Sequence, residues 1–312
     1  MSIEMKASSI IKALPIILTG ICFSAHSDDS THNNIERGKY IATISGCIHC
    51  HTDTESQGKP LAGGKELKSR FGTFYAPNIT PDPKTGIGNW SDDEFIRALQ
   101  YGISPKGEHY YPAFPYTSFT RMTREDILSV KRYLDSMPAI ENTHPEHIVS
   151  WPISDRSMLE FWKRVNFTPL IQRRGKHISP EWNRGAYLSE VLIHCGECHT
   201  PRFSSGGSMH HRHLAGAYLG AQSERVPNIT SHVRDGIGSW SKNQIAAFLA
   251  TGITPQMRQT TGSMKEVIDE YTSKLDAYDI QAIAEYLTTV PPIPDLSGSR
   301  SRQERWWLEP SD

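Results

Sequence analysis

The chain has 312 residues, with 33 Lys and Arg against 34 Asp and Glu, a net charge of −1 and a mean hydropathy of −0.48. That balance excludes a strongly basic nucleic-acid binder. Five cysteines are too few for a disulfide scaffold, and 37% hydrophobic residues support modest cores, on the order of two average domains' worth of chain. At the N-terminus, Lys6 and Lys12 flank and precede the apolar run Ala13–Phe23, and Ala25-His26-Ser27 supplies small residues at the two positions a signal peptidase reads. The run falls short of the roughly 20 residues a membrane span needs. Residues 1–27 are therefore expected to be a cleaved secretory signal carrying Cys22, which leaves an exported, periplasmic protein with at most peripheral membrane attachment.

Beyond that segment the chain repeats itself. Cys47-Ile-His-Cys50-His51 returns as Cys195-Gly-Glu-Cys198-His199, and Pro77-Asn78-Ile79-Thr80 as Pro227-Asn228-Ile229-Thr230. Gly86-Ile87-Gly88-Asn89-Trp90-Ser91 returns as Gly236-Ile237-Gly238-Ser239-Trp240-Ser241, and Arg132-Tyr133-Leu134 as Glu285-Tyr286-Leu287. The offsets drift only from 148 to 153, as expected of a duplicated unit with small insertions. The copies are placed at 34–138 and 179–293, joined by an irregular linker at 139–178 and followed by a polar tail at 294–312.

Each copy reads as mainly helical. Arg37–Ser45 and Arg184–His194 are short helices leading into the cysteines. Ser91-Asp-Asp-Glu94 and Ser241-Lys-Asn-Gln244 are capping boxes, and the helices they open stop at Gly102 and Gly252. Thr123 and Asp276 cap the last helices, whose apolar stripes (Ile127, Val130, Leu134; Ile280, Ile283, Leu287) have helical spacing and end before proline. One helix is expected in the linker, around Ser157–Val165, and no alternating strand stands out.

C-x-x-C-H is the attachment signature of c-type haem. Two thiols on one helical turn add to the porphyrin vinyl groups, and the adjacent His ligates the iron. Composition alone gives on the order of 0.004 chance matches, and the chain has two in equivalent places. Two covalently bound haem c groups are expected, on Cys47, Cys50 and His51 and on Cys195, Cys198 and His199. Zinc would need two more Cys or His ligands per copy. His210, His211 and His213 are too closely spaced, and the first copy lacks them. A redox dithiol would need a thioredoxin-like strand pattern, which is absent.

The sixth ligand decides whether each iron is closed for electron transfer or open to small ligands. Met264 is expected at the second site, with Met257 as the alternative. At the first site Met122 is expected, with Met137, His109 or an open position as alternatives. Met122 also aligns with Leu275, which suits a packing residue. Trp90 and Trp240 suit either a haem propionate or core packing, and Asn78 and Asn228 either a haem-side loop or a turn. Tyr110–Pro115 is a stiff aromatic loop suited to lining the haem crevice.

These motifs, with Tyr-Pro-Ala-x-Pro-Tyr, resemble the c-type cytochrome subunits of bacterial periplasmic alcohol, gluconate and sorbitol dehydrogenases. The resemblance covers both copies. It implies tandem class I cytochrome c domains, electron delivery towards a quinone or terminal oxidase chain, and a separate dehydrogenase catalytic subunit as partner. The three-haem members have Met where this chain has Phe114, which removes the expected first ligand and turns attention to Met122. A two-haem redox enzyme of the thiosulfate dehydrogenase or peroxidase type is the rival. Thiosulfate dehydrogenases use a cysteine thiolate as an axial ligand, and no cysteine is spare here.

Overall fold

A computed structural model describes residues 27–169, 179–219 and 224–295. All of the expected signal except Ser27, and almost all of the polar tail, lie outside the described residues. The helices are α1 (Ser27–Ile44), α2 (Cys47–Cys50), α3 (Asp92–Tyr101), α4 (Tyr116–Phe119), α5 (Arg124–Asp135) and α6 (Ser157–Asn166). The second half continues with α7 (Pro180–Tyr187), α8 (Gly196–His199), α9 (Lys242–Thr251), α10 (Gly262–Glu270) and α11 (Ala277–Thr289). A π-type turn, Leu188–Leu192, extends α7 towards Cys195.

The helix ends arise from local chemistry. Ser91 and Ser241 form the expected capping boxes with Glu94 and Gln244. Gly102 and Gly252 end α3 and α9 with φ of 60° and 73°, a conformation costly for residues with a Cβ. Thr123 and Asp276 accept from the backbone N–H three residues on, starting α5 and α11.

Two short hairpins went unseen in the sequence. β1 (Glu66–Ser69) pairs antiparallel with β2 (Gly72–Tyr75), and β3 (Ile148–Val149) adds to β2. In the second half β4 (Ala217–Leu219) pairs with β5 (Glu224–Val226). Strands this short are too brief to show a period in sequence. The linker is also less irregular than its composition suggests. Its first residues are tied to the first half, since Asn78 donates to the Ile140 carbonyl at 2.7 Å and Asn142 to that of Ala62 at 2.8 Å. α6 lies where a helix was expected. Its Lys163 donates to the carbonyls of Tyr101 and Gly102, both at 2.7 Å, across the C-terminal end of α3.

In each half the first helix crosses the last at a glycine. A Cβ on Gly38 would stand 1.9 Å from the Ser129 carbonyl oxygen, and one on Gly185 1.8 Å from that of Ala282. Only glycine permits backbones this close. Around these crossings one continuous core gathers Ile41, Ile127, Val130 and Leu134 with Leu188, Leu192, Ile283 and Leu287.

The halves meet through an exchanged polar contact. Arg37 donates to Asp126 within the first half, and Arg184 to Asp279 within the second. Tyr40 of α1 crosses to donate to Asp279 at 2.7 Å, while Tyr187 of α7 crosses to donate to Asp126 at 2.6 Å. Each tyrosine oxygen also accepts the backbone N–H of the opposite helix cap, Asp276 or Thr123. Both aspartates are 1% exposed, so they are satisfied buried charges.

Candidate functional site

The two Cys-x-x-Cys-His segments are built alike. Each starts a short helical turn, α2 or α8, that puts both cysteines on one side of the segment. No disulfide joins them, and all four are only partly buried. His51 and His199 each aim Nδ1 at a proline carbonyl, Pro77 at 2.7 Å and Pro227 at 2.8 Å. A carbonyl oxygen only accepts, so the proton sits on Nδ1 and the lone pair on Nε2. Burial pushes both imidazoles below the ordinary histidine range, against the opposing pull of those carbonyls. Each ring is thus a neutral, oriented donor with Nε2 available to a metal, held by the kind of outer contact that fixes metal-ligating histidines.

The next turn repeats as well. Thr52 accepts the Leu61 N–H at 3.0 Å, and Thr200 that of Leu214 at 3.1 Å. Asn78 and Asn228 each accept from the N–H and hydroxyl of the threonine two residues on, and donate to the chain leaving the last helix, at Ile140 and Ile293. Their role is to hold the turn.

The groups present fit a covalently held haem. Burial drives the Cys47 and Cys195 thiols up to about 12, so both are held in the protonated form. Among the described residues no three His, Cys, Asp or Glu side chains converge as a metal cluster. His213, of the histidine tract, instead pairs through Nε2 with Glu190 at 2.7 Å. Tyr286 also donates to Glu190 at 2.6 Å. Burial raises this carboxyl, but His213, Tyr286 and Arg121 outweigh it and hold it below the usual range. The buried indole Nε1 of Trp240 has no partner, as expected of a donor waiting for a propionate.

The loops after α3 and α9 keep the same hydrogen bonds at an offset of 150. Tyr110 N–H donates to Gly102 and Thr260 N–H to Gly252, both at 2.8 Å; Ser104 and Thr254 donate to Glu108 and Arg258, both at 2.9 Å. Four residues beyond the first pair stand Phe114 and Met264, both partly exposed against the core. Met264 lies in the first turn of α10, whereas Met257 is 81% exposed and turns outward. Met122 does not share the loop position of Met264. It is 4% exposed, directly precedes the cap Thr123, and bonds its N–H to the Phe119 carbonyl. Leu275 matches it in every respect: 7% exposed, directly before Asp276, with its N–H on the Thr272 carbonyl.

Each Cys-x-x-Cys-His segment is covered by the other half. His49 contacts Glu266 of α10 at 2.6 Å and stacks edge-on with Tyr271 at 5.5 Å. Tyr271 also lies over Gly46, and its hydroxyl donates a hydrogen bond to the Cys50 sulfur. In the mirror position Glu197 accepts from Thr117 at 2.8 Å and Ser118 at 2.7 Å, and Phe119 meets the His194 ring at 5.5 Å. No sequence pattern announced these crossings.

A family model described as cytochrome c matches residues 35–138. A protein described as diheme cytochrome c-type, from Cereibacter sphaeroides, is 40% identical over 260 residues, covering 82% of this chain and 86% of that protein. The chain belongs to the cytochrome c family. This cytochrome is also 39% identical over 262 residues to the fructose dehydrogenase cytochrome subunit of Gluconobacter japonicus, covering 83% of the chain but 53% of the relative. It is 33% identical over 289 residues to the gluconate 2-dehydrogenase cytochrome c subunit of Pantoea cypripedii, covering 89% and 64%. It therefore spans between half and two thirds of these two dehydrogenase subunits. No helix among the described residues is long and apolar enough to cross a membrane.

Proposed function

We infer that the chain is an exported two-haem cytochrome c, built from tandem class I domains, that relays electrons from a dehydrogenase catalytic subunit to a downstream quinone or oxidase acceptor. The observation that carries this reading is the duplicated site: two Cys-x-x-Cys-His turns, each with its histidine Nδ1 tied to a proline carbonyl. Cys47, Cys50 and His51 would hold one haem, and Cys195, Cys198 and His199 the other. Bound haem supplies a one-electron couple. The chain's own part is to fix each histidine tautomer, exclude water with the shared core, and set the sixth position, where Met264 is the ligand proposed for the second haem. The two Cys-x-x-Cys-His segments each abut the other half, which suits electrons passing within one molecule. Resemblance to cytochrome subunits of fructose and gluconate dehydrogenases supports a dehydrogenase partner, and the apolar run Ala13–Phe23 supports export to the periplasm.

The test is the intact mass of the mature protein with its reduction by a dehydrogenase complex. Two covalent haems, and reduction of both on adding the dehydrogenase's substrate, are the expected result. One haem, or haem lost to acid–acetone extraction, refutes the binding assignment. Enzyme-like turnover of thiosulfate or peroxide by the isolated chain refutes the relay.

A further inference from the structure

The two ligand loops have the same backbone frame and different contents. Counted from the Tyr110 and Thr260 N–H bonds that close each loop on Gly102 and Gly252, the fourth residue is Phe114 in one and Met264 in the other. A phenyl ring has no lone pair to give a metal. The other methionines of the first half stand elsewhere. Met122 is packed in the core at the place of Leu275, an aliphatic residue that ligates nothing. Met137 lies beyond the end of α5, bonding its N–H to the Leu134 carbonyl.

The surroundings of Phe114 are aromatic. Its ring meets Tyr110 and Phe119 edge-on, both at 5.9 Å, and Tyr116 at 6.3 Å. This aromatic lining, whose polar groups are the uncharged hydroxyls of Tyr110 and Tyr116, suits a small uncharged molecule better than a hydrated anion.

We propose that Phe114 leaves the first haem without a thioether ligand, so that its sixth position is a binding site for a small diatomic gas, while Met264 keeps the second haem closed. This rests on the haem assignment above. The two sites then differ in kind: one is a closed electron-transfer centre, the other an open, gas-accessible centre with a lower potential, since thioether ligation is what raises it.

The experiment uses the purified full-length holoprotein and carbon monoxide as probe. Intact mass first counts the haems, and fewer than two is a failure of the haem assignment, not of this proposal. Carbon monoxide is then titrated into the dithionite-reduced protein and monitored in the Soret band. One molecule bound per chain is expected. Phe114→Met should abolish that uptake, because it restores the thioether at the matching position. Met122→Leu should bind one equivalent as before, with an unchanged oxidised spectrum. No uptake by the wild type overturns the proposal, as does a Met122→Leu protein that gains a binding site the wild type lacks. Two equivalents in the wild type overturn it as well, since the two sites would then be alike.

Discussion

Replacing Tyr40 and Tyr187 by phenylalanine tests the contact that joins the halves. Each change removes one hydroxyl and no packing volume. Tyr187 donates at 2.6 Å to Asp126, and Tyr40 at 2.7 Å to Asp279, with both carboxylates 1% exposed. A hydrogen bond to a charged group contributes about 1.5–3 kcal/mol. Each aspartate keeps its arginine, through Arg37 or Arg184, so neither becomes a lone buried charge with the larger penalty that would bring. The two tyrosines bond to different aspartates, but Arg184 interacts with both Tyr40 and Asp126, so the pair forms one network. The double variant should therefore lose at least the roughly 1.5–3 kcal/mol of a single bond. Guanidinium unfolding of the holoprotein, monitored by far-UV circular dichroism, reads this directly. Because the lost bonds cross between halves, the double variant should also show a shallower slope as the halves begin to unfold separately. A double variant within about 0.5 kcal/mol of wild type would show that the crossed bonds do not couple the halves.

Gly38→Ala puts a Cβ 1.9 Å from the Ser129 carbonyl oxygen, so α1 and α5 must separate; a loss at or above the upper end of the roughly 1–3 kcal/mol range for overpacking is expected in thermal melts. Met264→Ala should add a carbon monoxide equivalent to the reduced protein and lower the potential of the second haem in a redox titration. Burial lowers the Lys163 ammonium to about 8, against about 10.4 unfolded, so the unfolded chain holds more protons between those values. Stability relative to a Lys163→Met variant should therefore rise with pH across that window, and a flat difference in denaturation midpoints would contradict the burial argument.

Much of this fold is legible because its signals are local. The capping boxes at Ser91 and Ser241, the stops at Gly102 and Gly252, and the caps Thr123 and Asp276 each act within one turn of helix, and all six stand where expected. The linker helix is equally local. The hairpins are not, since strands of two to four residues acquire their register from partners, β3 arriving from the far side of α5. Tyr40 and Tyr187 read as ordinary helix residues because their acceptors lie 239 and 61 residues away. Met122 shows the limit of a residue-type search. It is a methionine in the expected window, yet its backbone keeps register with the helix cap at Thr123, as Leu275 does with Asp276, and not with the loop that carries Met264. The cysteines and histidines were readable because the Cys-x-x-Cys-His spacing lies within one short turn, which both copies form.

The covering of each Cys-x-x-Cys-His segment by the opposite half bears on how the protein is made. Tyr271 lies over Gly46 and hydrogen-bonds to Cys50, and Thr117 and Ser118 hold Glu197 between Cys195 and Cys198. If haem is attached at these motifs as proposed, attachment before the halves dock meets open thiols, whereas attachment afterwards must work past the opposite half, with each cysteine only partly exposed. The order of docking and attachment then bears on the yield of loaded protein.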